Sequence, residues 1–365
     1  HDRAVAVDRL RPPLIKGWII VDLVAVAAAG IALVSRRRPL SWVGRVFPVL
    51  AAFGPATLVA AASPWPPWSS LAAAIVDTVG TALLLAGLAG WAGRRVWGRP
   101  VGAIYALALA SAALLTVDAL RGGTWTRWSY LGYSALSGAR YYGIGNEFMG
   151  VWVGAVLVAT VGLLERWPRR GHWGALALMA ACVGLLAWPE GGANFGGATA
   201  AVLAFVPTYL YAVRRRVEWA DVGWAAAGFV AVTGLMVALD LLLDRGPASH
   251  VGRLAREVWA AGPTPLVRIA LGKLATEWRL IQLTIWTKLL AVFIASSAML
   301  LLWSPEPMRR LWAEHPALRV GAFGYGLATF TVIALNDSGI VAAATMLTMV
   351  AAAFFASVSD QLGQV

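Results

Sequence analysis

The sequence holds a single cysteine, Cys182, inside an apolar run, which excludes both a disulfide framework and a thiolate metal cluster. Its four histidines, His1, His172, His250 and His315, are scattered, and neither His-x-x-x-His nor Cys-x-x-Cys spacing occurs, so no zinc or iron ligand set is expected. Charge is scarce as well: only 13% of the 365 residues are charged, where a soluble domain carries about twice that share. Gly143-Ile-Gly-Asn146 is not a dinucleotide fingerprint, because no strand precedes it. The chain starts at His1 rather than methionine, and the polar stretch to Lys16 has no signal-peptide pattern, which reads as the remnant of a missing upstream part.

What is abundant is apolar. Hydrophobic residues make up 59% of the chain, and the mean hydropathy is +0.70. Nineteen tryptophans, many beside charged or proline-rich breaks, suit an interfacial belt better than a soluble core. The composition predicts an all-α, polytopic integral membrane helical bundle. Within such a bundle the net charge of +12 is informative through its placement, and nucleic acid is not an expected partner.

Apolar runs broken by charged, Pro or Gly clusters give eleven spans, at roughly 18–34, 41–63, 69–93, 101–120, 143–164, 174–188, 197–213, 222–243, 281–303, 320–335 and 340–357. Five alternate connections each carry three arginines: 36–38, then Arg94, Arg95 and Arg99, then Arg166, Arg169 and Arg170, then 214–216, and last Arg309, Arg310 and Arg319. The positive-inside rule makes those connections cytoplasmic, in a bacterial inner membrane with the N-terminus outside and the C-terminus inside. The organisation read from this is an extracytoplasmic segment 1–17, a transmembrane domain 18–357 and a cytoplasmic tail 358–365.

That topology puts every unusual polar stretch outside. Glu147 shares the i, i+4, i+7, i+11 spacing of Gly143, Gly150 and Gly154, the small-residue face on which a membrane helix meets its neighbours. A carboxylate there is a candidate general base, cation ligand or partner of Arg140, while the local alternative is that Asn146 caps the helix and Glu147 supports it. Tyr141 and Asn146 complete this stretch as candidate substrate contacts. Asn336-Asp337-Ser338-Gly339 offers an amide, a carboxylate and a hydroxyl: Asp337 is a second candidate catalytic group, and Asn336 and Ser338 are candidate donors to phosphate or sugar, although the same types also favour plain turns. Asn194, within the glycine-rich run 191–197, is placed either in an anion-binding nest or in a hairpin.

The external stretch 244–280 has six cations against three carboxylates, contrary to the positive-inside trend. Apolar residues recur there at helical spacing and Thr264-Pro265 opens a second helix, so interfacial helices are expected. Arg253 and Arg256 are candidate receivers of a lipid phosphate, with His250 beside them as a candidate catalytic group. No organic cofactor is expected; a divalent cation is the one inorganic ligand Asp337 could hold.

Taken in order, Arg140-Tyr-Tyr-Gly-Ile-Gly-Asn-Glu147, Gly192-Ala-Asn-Phe-Gly-Gly197, Ser249-His-Val-Gly-Arg253 and Leu335-Asn-Asp-Ser-Gly339 resemble the polytopic membrane domain of Gram-positive envelope proteins, some of which look like fusions to an alkaline-phosphatase-like extracytoplasmic domain. The resemblance implies a cell-envelope role on a phosphorylated lipid or lipid-linked polymer, and it supplies no catalytic residue. Three readings follow: a transferase, ligase or polymerase acting on a polyprenyl-phosphate-linked substrate from an outward-facing polar cavity; an ion-coupled transporter or lipid flippase; and a scaffold for a missing N-terminal extracytoplasmic domain.

Overall fold

The computed structural model describes residues 2–36, 40–63, 70–134, 136, 140, 142–242 and 264–363. Among these residues there is no strand, and fifteen helices account for most of the chain. Nine of them are long and apolar enough to cross a membrane, ten spans if a bent pair counts as one, and the chain is a multi-pass membrane protein.

In chain order the helices are α1 (Asp2–Arg36), α2 (Val43–Ala51), α3 (Phe53–Ala62), α4 (Leu71–Trp97), α5 (Gly102–Leu120), α6 (Thr124–Trp128), α7 (Asn146–Arg166) and α8 (Gly171–Ala187). There follow α9 (Phe195–Arg214), α10 (Trp219–Leu242), α11 (Thr264–Leu283), α12 (Ile285–Trp303), α13 (Pro305–Glu314), α14 (Pro316–Leu335) and α15 (Gly339–Leu362). Each of the eleven expected spans has a helical counterpart, with two departures in form. The stretch 41–63 is broken into α2 and α3, bent by 43°, and 174–188 is a 17-residue helix, α8.

The centre of the bundle is the pair α7 and α15, whose apolar windows are each 89% buried. The reason lies in the stripe predicted from spacing. A Cβ on Gly150 would lie 2.1 Å from Thr345 Oγ1, and one on Gly154 would lie 2.5 Å from the Met346 carbonyl oxygen, so only glycine lets the two backbones meet this closely. Around them the apolar side chains form one continuous core that includes Trp152, Phe148, Tyr105 and Phe355. By contrast α4 has 17% of its window buried and α10 has 11%, and both present leucine, valine and tryptophan outward as lipid-facing helices do.

Helix α1 runs unbroken from Asp2 through Pro12 and Pro13 to Arg36, about 50 Å at 1.5 Å per residue. Residues 2–17 are therefore the N-terminal half of the helix that carries the first span. They are held because Val7, Leu10 and Leu14 pack against Ala74 and Tyr130, and because Arg3 donates to the Ala61 carbonyl at 3.0 Å.

The bundle has two chemically different ends. At one, Arg99 Nη1 lies 3.3 Å from Glu165 Oε2, His315 Nδ1 lies 3.3 Å from Glu165 Oε1, Arg215 donates to the Pro316 carbonyl, and Leu40 N–H donates to Ser359 Oγ. These contacts draw the arginine-rich connections together, so the alternate basic loops share one face of the protein. The polar, glycine-rich connections meet at the other.

Candidate functional site

Three of the four sequence stretches singled out above converge at the polar end. The chain reverses at Gly143, whose φ of +77° is a left-handed conformation that a Cβ would strain, and where that Cβ would lie 2.3 Å from the Gly192 carbonyl oxygen. The reversal lets Ile144 N–H donate to the same carbonyl at 2.7 Å. Backbone thus joins stretch 140–147 to stretch 188–197.

Asn194 completes the seam. It is 2% exposed; its Oδ1 accepts from Gly197 N–H at 2.8 Å as the cap of α9, while its Nδ2 donates to the Ile144 carbonyl at 3.0 Å and to Asn146 Oδ1 at 3.1 Å. Both amide hydrogens and one acceptor site of Asn194 are engaged within the fold, so Asn194 positions the loop. Asn146 does not cap α7 as one expectation had it. Gly145 is the cap residue and has no side chain to cap with, while the Asn146 amide oxygen accepts from Asn194.

Glu147 opens α7 and is partly buried. Its electrostatic partners are Arg11 and Arg140, one from α1 and one from the preceding loop. Arg140 Nη1 gives its hydrogen bonds to the carbonyls of Ile144 (3.0 Å) and Ala193 (3.3 Å), which fixes the guanidinium beside Glu147 without a contact pair. A guanidinium has five N–H donors, so the rest of the fork stays available among the described residues. Burial lowers the Arg140 pKa, and Tyr133 and Glu147 oppose that shift. Burial also raises the Tyr133 hydroxyl, which Arg127 counters. Arg11 in turn pairs with Asp8, and Asp8 accepts from Ser134.

The Asn336–Gly339 turn lies against the same end. A Cβ on Gly196 would sit 3.0 Å from the Leu335 carbonyl oxygen and 3.3 Å from Asn336 Cα, so stretches 192–197 and 335–339 touch. Asn336 is 3% exposed, and among the described residues its Nδ2 is a buried donor with no acceptor. Such a group costs about 1–3 kcal/mol unless water or a ligand accepts from it. The Asp337 side chain is 77% exposed and pairs with Lys273 Nζ at 3.1 Å; Lys273 also donates to the Leu335 carbonyl at 2.7 Å. Asp337 lies close enough to Arg140 to act on it electrostatically.

Ser338 precedes α15 without capping it by its side chain. That role falls to Glu277 of α11, whose two carboxylate oxygens accept from Gly339 N–H at 2.6 Å and Ile340 N–H at 3.1 Å. Burial raises the Glu277 pKa, and the two N–H donors pull it down. The N-terminus of α15 is therefore filled by the protein's own carboxylate.

Tyr141, His250, Arg253 and Arg256 lie outside the described residues. Helix α11, which the pair Thr264-Pro265 was expected to open, begins at Thr264 and delivers Lys273 and Glu277. Sequence reasoning missed Arg11 and Asp8, the partners that α1 brings to Glu147. Their i, i+3 opposite-charge spacing was the available signal. It missed Glu277 as a cap too, because nothing local connects positions 277 and 339. Comparison of the chain with protein-family models, curated proteins and solved structures gives no match.

Proposed function

We propose that the polar end receives the phosphate of a lipid-linked substrate, and that the protein is a cell-envelope transferase, ligase or polymerase working on the outer face of a bacterial inner membrane. The observation that carries this reading is the pair of guanidinium groups, Arg11 and Arg140, placed around a carboxylate, Glu147, at the mouth of one of the two most buried helices of the bundle. Fixed arginine forks suit phosphate oxygens, and a carboxylate beside them suits the proton of an acceptor hydroxyl. In this scheme Glu147 takes that proton while Arg140 and Arg11 hold the departing lipid phosphate. Lys273 adds a third cation at the rim, and Asn336 Nδ2, which has no acceptor among the described residues, is a donor to a sugar or phosphate oxygen. His250, Arg253 and Arg256 belong to the same proposal as further phosphate contacts from the loop before α11.

A diazirine-bearing polyprenyl phosphate tests the placement. Photolabelling of the purified protein is expected to map to residues 140–147 and 335–339; labels confined to the arginine-rich end would overturn it.

A second reading, ion-coupled transport, draws on Asp22. This carboxylate is 2% exposed within α1, and among the described residues its Oδ2 has no partner. Proton or sodium flux into proteoliposomes that disappears in Asp22→Asn would favour transport; absence of flux in the unsubstituted protein would remove this reading.

A further inference from the structure

The arginine-rich end carries a second feature, far from the site above and independent of it. A cleft of about 390 Å³ lies between α2, α4 and the start of α5. Its α4 wall is Leu83, Ala86, Gly87, Gly90 and Arg94, a single stripe at i, i+3, i+4, i+7 and i+11, about 16 Å long. The stripe is apolar toward the middle of the bundle and ends in guanidinium groups: Arg94 from α4, Arg45 from α2 and Arg99 from the turn that follows α4.

These arginines differ from those around them. Arg99 is engaged with Glu165 and His315, and Arg95 lies over the Trp91 ring at 4.3 Å. Arg45 and Arg94 have no ion pair or hydrogen bond among the described residues. Arg94 folds back over Gly90, where a Cβ would lie 3.7 Å from its Nη1, so it turns toward the cleft and away from the end of the helix. Glycine at 87 and 90 keeps this floor free of side chains, while the tight seating of Gly93 on Gly102 holds α4 to α5 beneath it. An exposed arginine at a helix end needs no such recess, because it can simply extend to water or headgroups.

We infer that this cleft binds an anionic phospholipid, with the headgroup phosphate held by Arg45 and Arg94 and one acyl chain lying along the Leu83–Gly90 stripe of α4. Charge complementarity selects the phosphate, since two unpaired forks face a recess whose lining residues include no carboxylate. The lipid source follows from the apolar wall and from α4 being a sparsely buried, lipid-facing helix, which lets a chain enter sideways.

The test uses the full chain in nanodiscs with photoreactive phosphatidylglycerol carrying a mid-chain diazirine, read by peptide mapping. Labelling of α4 between residues 83 and 90 is expected in the unsubstituted protein. The double substitution Arg45→Gln with Arg94→Gln should lower it about thirtyfold, two cations near the surface being worth roughly 1 kcal/mol each. Arg95→Gln, which removes one neighbouring charge outside the cleft, should leave it unchanged. Leu83→Trp, at an exposed position, should block the chain and abolish labelling while the thermal unfolding profile stays as before. Equal loss in Arg95→Gln would mean general attraction of anionic lipid and no built site, and would overturn the inference. So would full labelling in the double variant, or displacement of the label by soluble glycerol 3-phosphate together with an unaffected Leu83→Trp, which would make the occupant a free anion.

Discussion

The two ends of the bundle use the same few charged residues in opposite ways. At the arginine-rich end the charges are mostly exposed and pair with one another: Arg309 and Arg310 with Glu306, Arg216 with Glu218, and Arg214 with Glu218 and Asp221. At the polar end they are sunk among glycines and bonded to backbone, as with Arg140 on two carbonyls, Lys273 on the Leu335 carbonyl and Glu277 on two N–H groups. Exposed pairs contribute little because water and salt do the same work. Buried charges with fixed partners are costly to place and costly to disturb. The arginine-rich end is thus built to sit at a membrane surface, and the polar end to hold a defined geometry.

The largest effect that would break this contrast is at the turn that carries the polar end. Gly143→Ala combines a left-handed backbone with a Cβ driven into the Gly192 carbonyl, and should cost about 2 kcal/mol or more. A thermal shift of the purified protein measures it. If the variant melts with the unsubstituted protein, the loop is not held as described.

A smaller effect concerns Glu277. Its pKa is raised in the folded protein by burial, so its contribution is fully present below the unfolded pKa of an ordinary glutamate and is lost as pH rises through the raised value. Melting followed from acid toward neutral pH should decline over that window in the unsubstituted protein and flatten in Glu277→Gln. Identical slopes in the two proteins would remove Glu277 from the account.

The smallest effect belongs to the other end. Arg309→Ala breaks an exposed helix-surface pair with Glu306 and should leave the melting temperature unchanged within error, since α13 lies outside the buried polar network. A large loss there would erase the difference between the ends.

The spans were legible in the sequence because burial in lipid leaves a long, unambiguous hydropathy signal, and the Gly150 and Gly154 stripe was legible because close helix approach needs small residues at fixed spacing. The helical form of residues 2–17 was not legible, because their charges and the Pro12-Pro13 pair give no apolar signal, yet Arg3 and Arg11 find partners at Ala61 and Asp8, and the helix simply continues. Asn194 and Asn146 were legible as polar residues at helix starts, but which one caps a helix depends on a cross-loop bond 48 residues apart in sequence. Asp337 and Glu147 were both placed correctly at one end. What separates an exposed Asp337, paired with Lys273, from a recessed Glu147 is the position of α11 and α1, which no local pattern reports.

The most direct test is the affinity of the purified protein for polyprenyl phosphate in detergent, compared across the unsubstituted chain, Arg140→Gln and Glu147→Gln. If the arginines receive phosphate beside a neighbouring carboxylate, Arg140→Gln weakens binding about tenfold or more, and Glu147→Gln, which removes the repelling charge, strengthens it. Binding that is indifferent to Arg140, or that collapses in Glu147→Gln, would contradict the assignment of this end to a lipid phosphate.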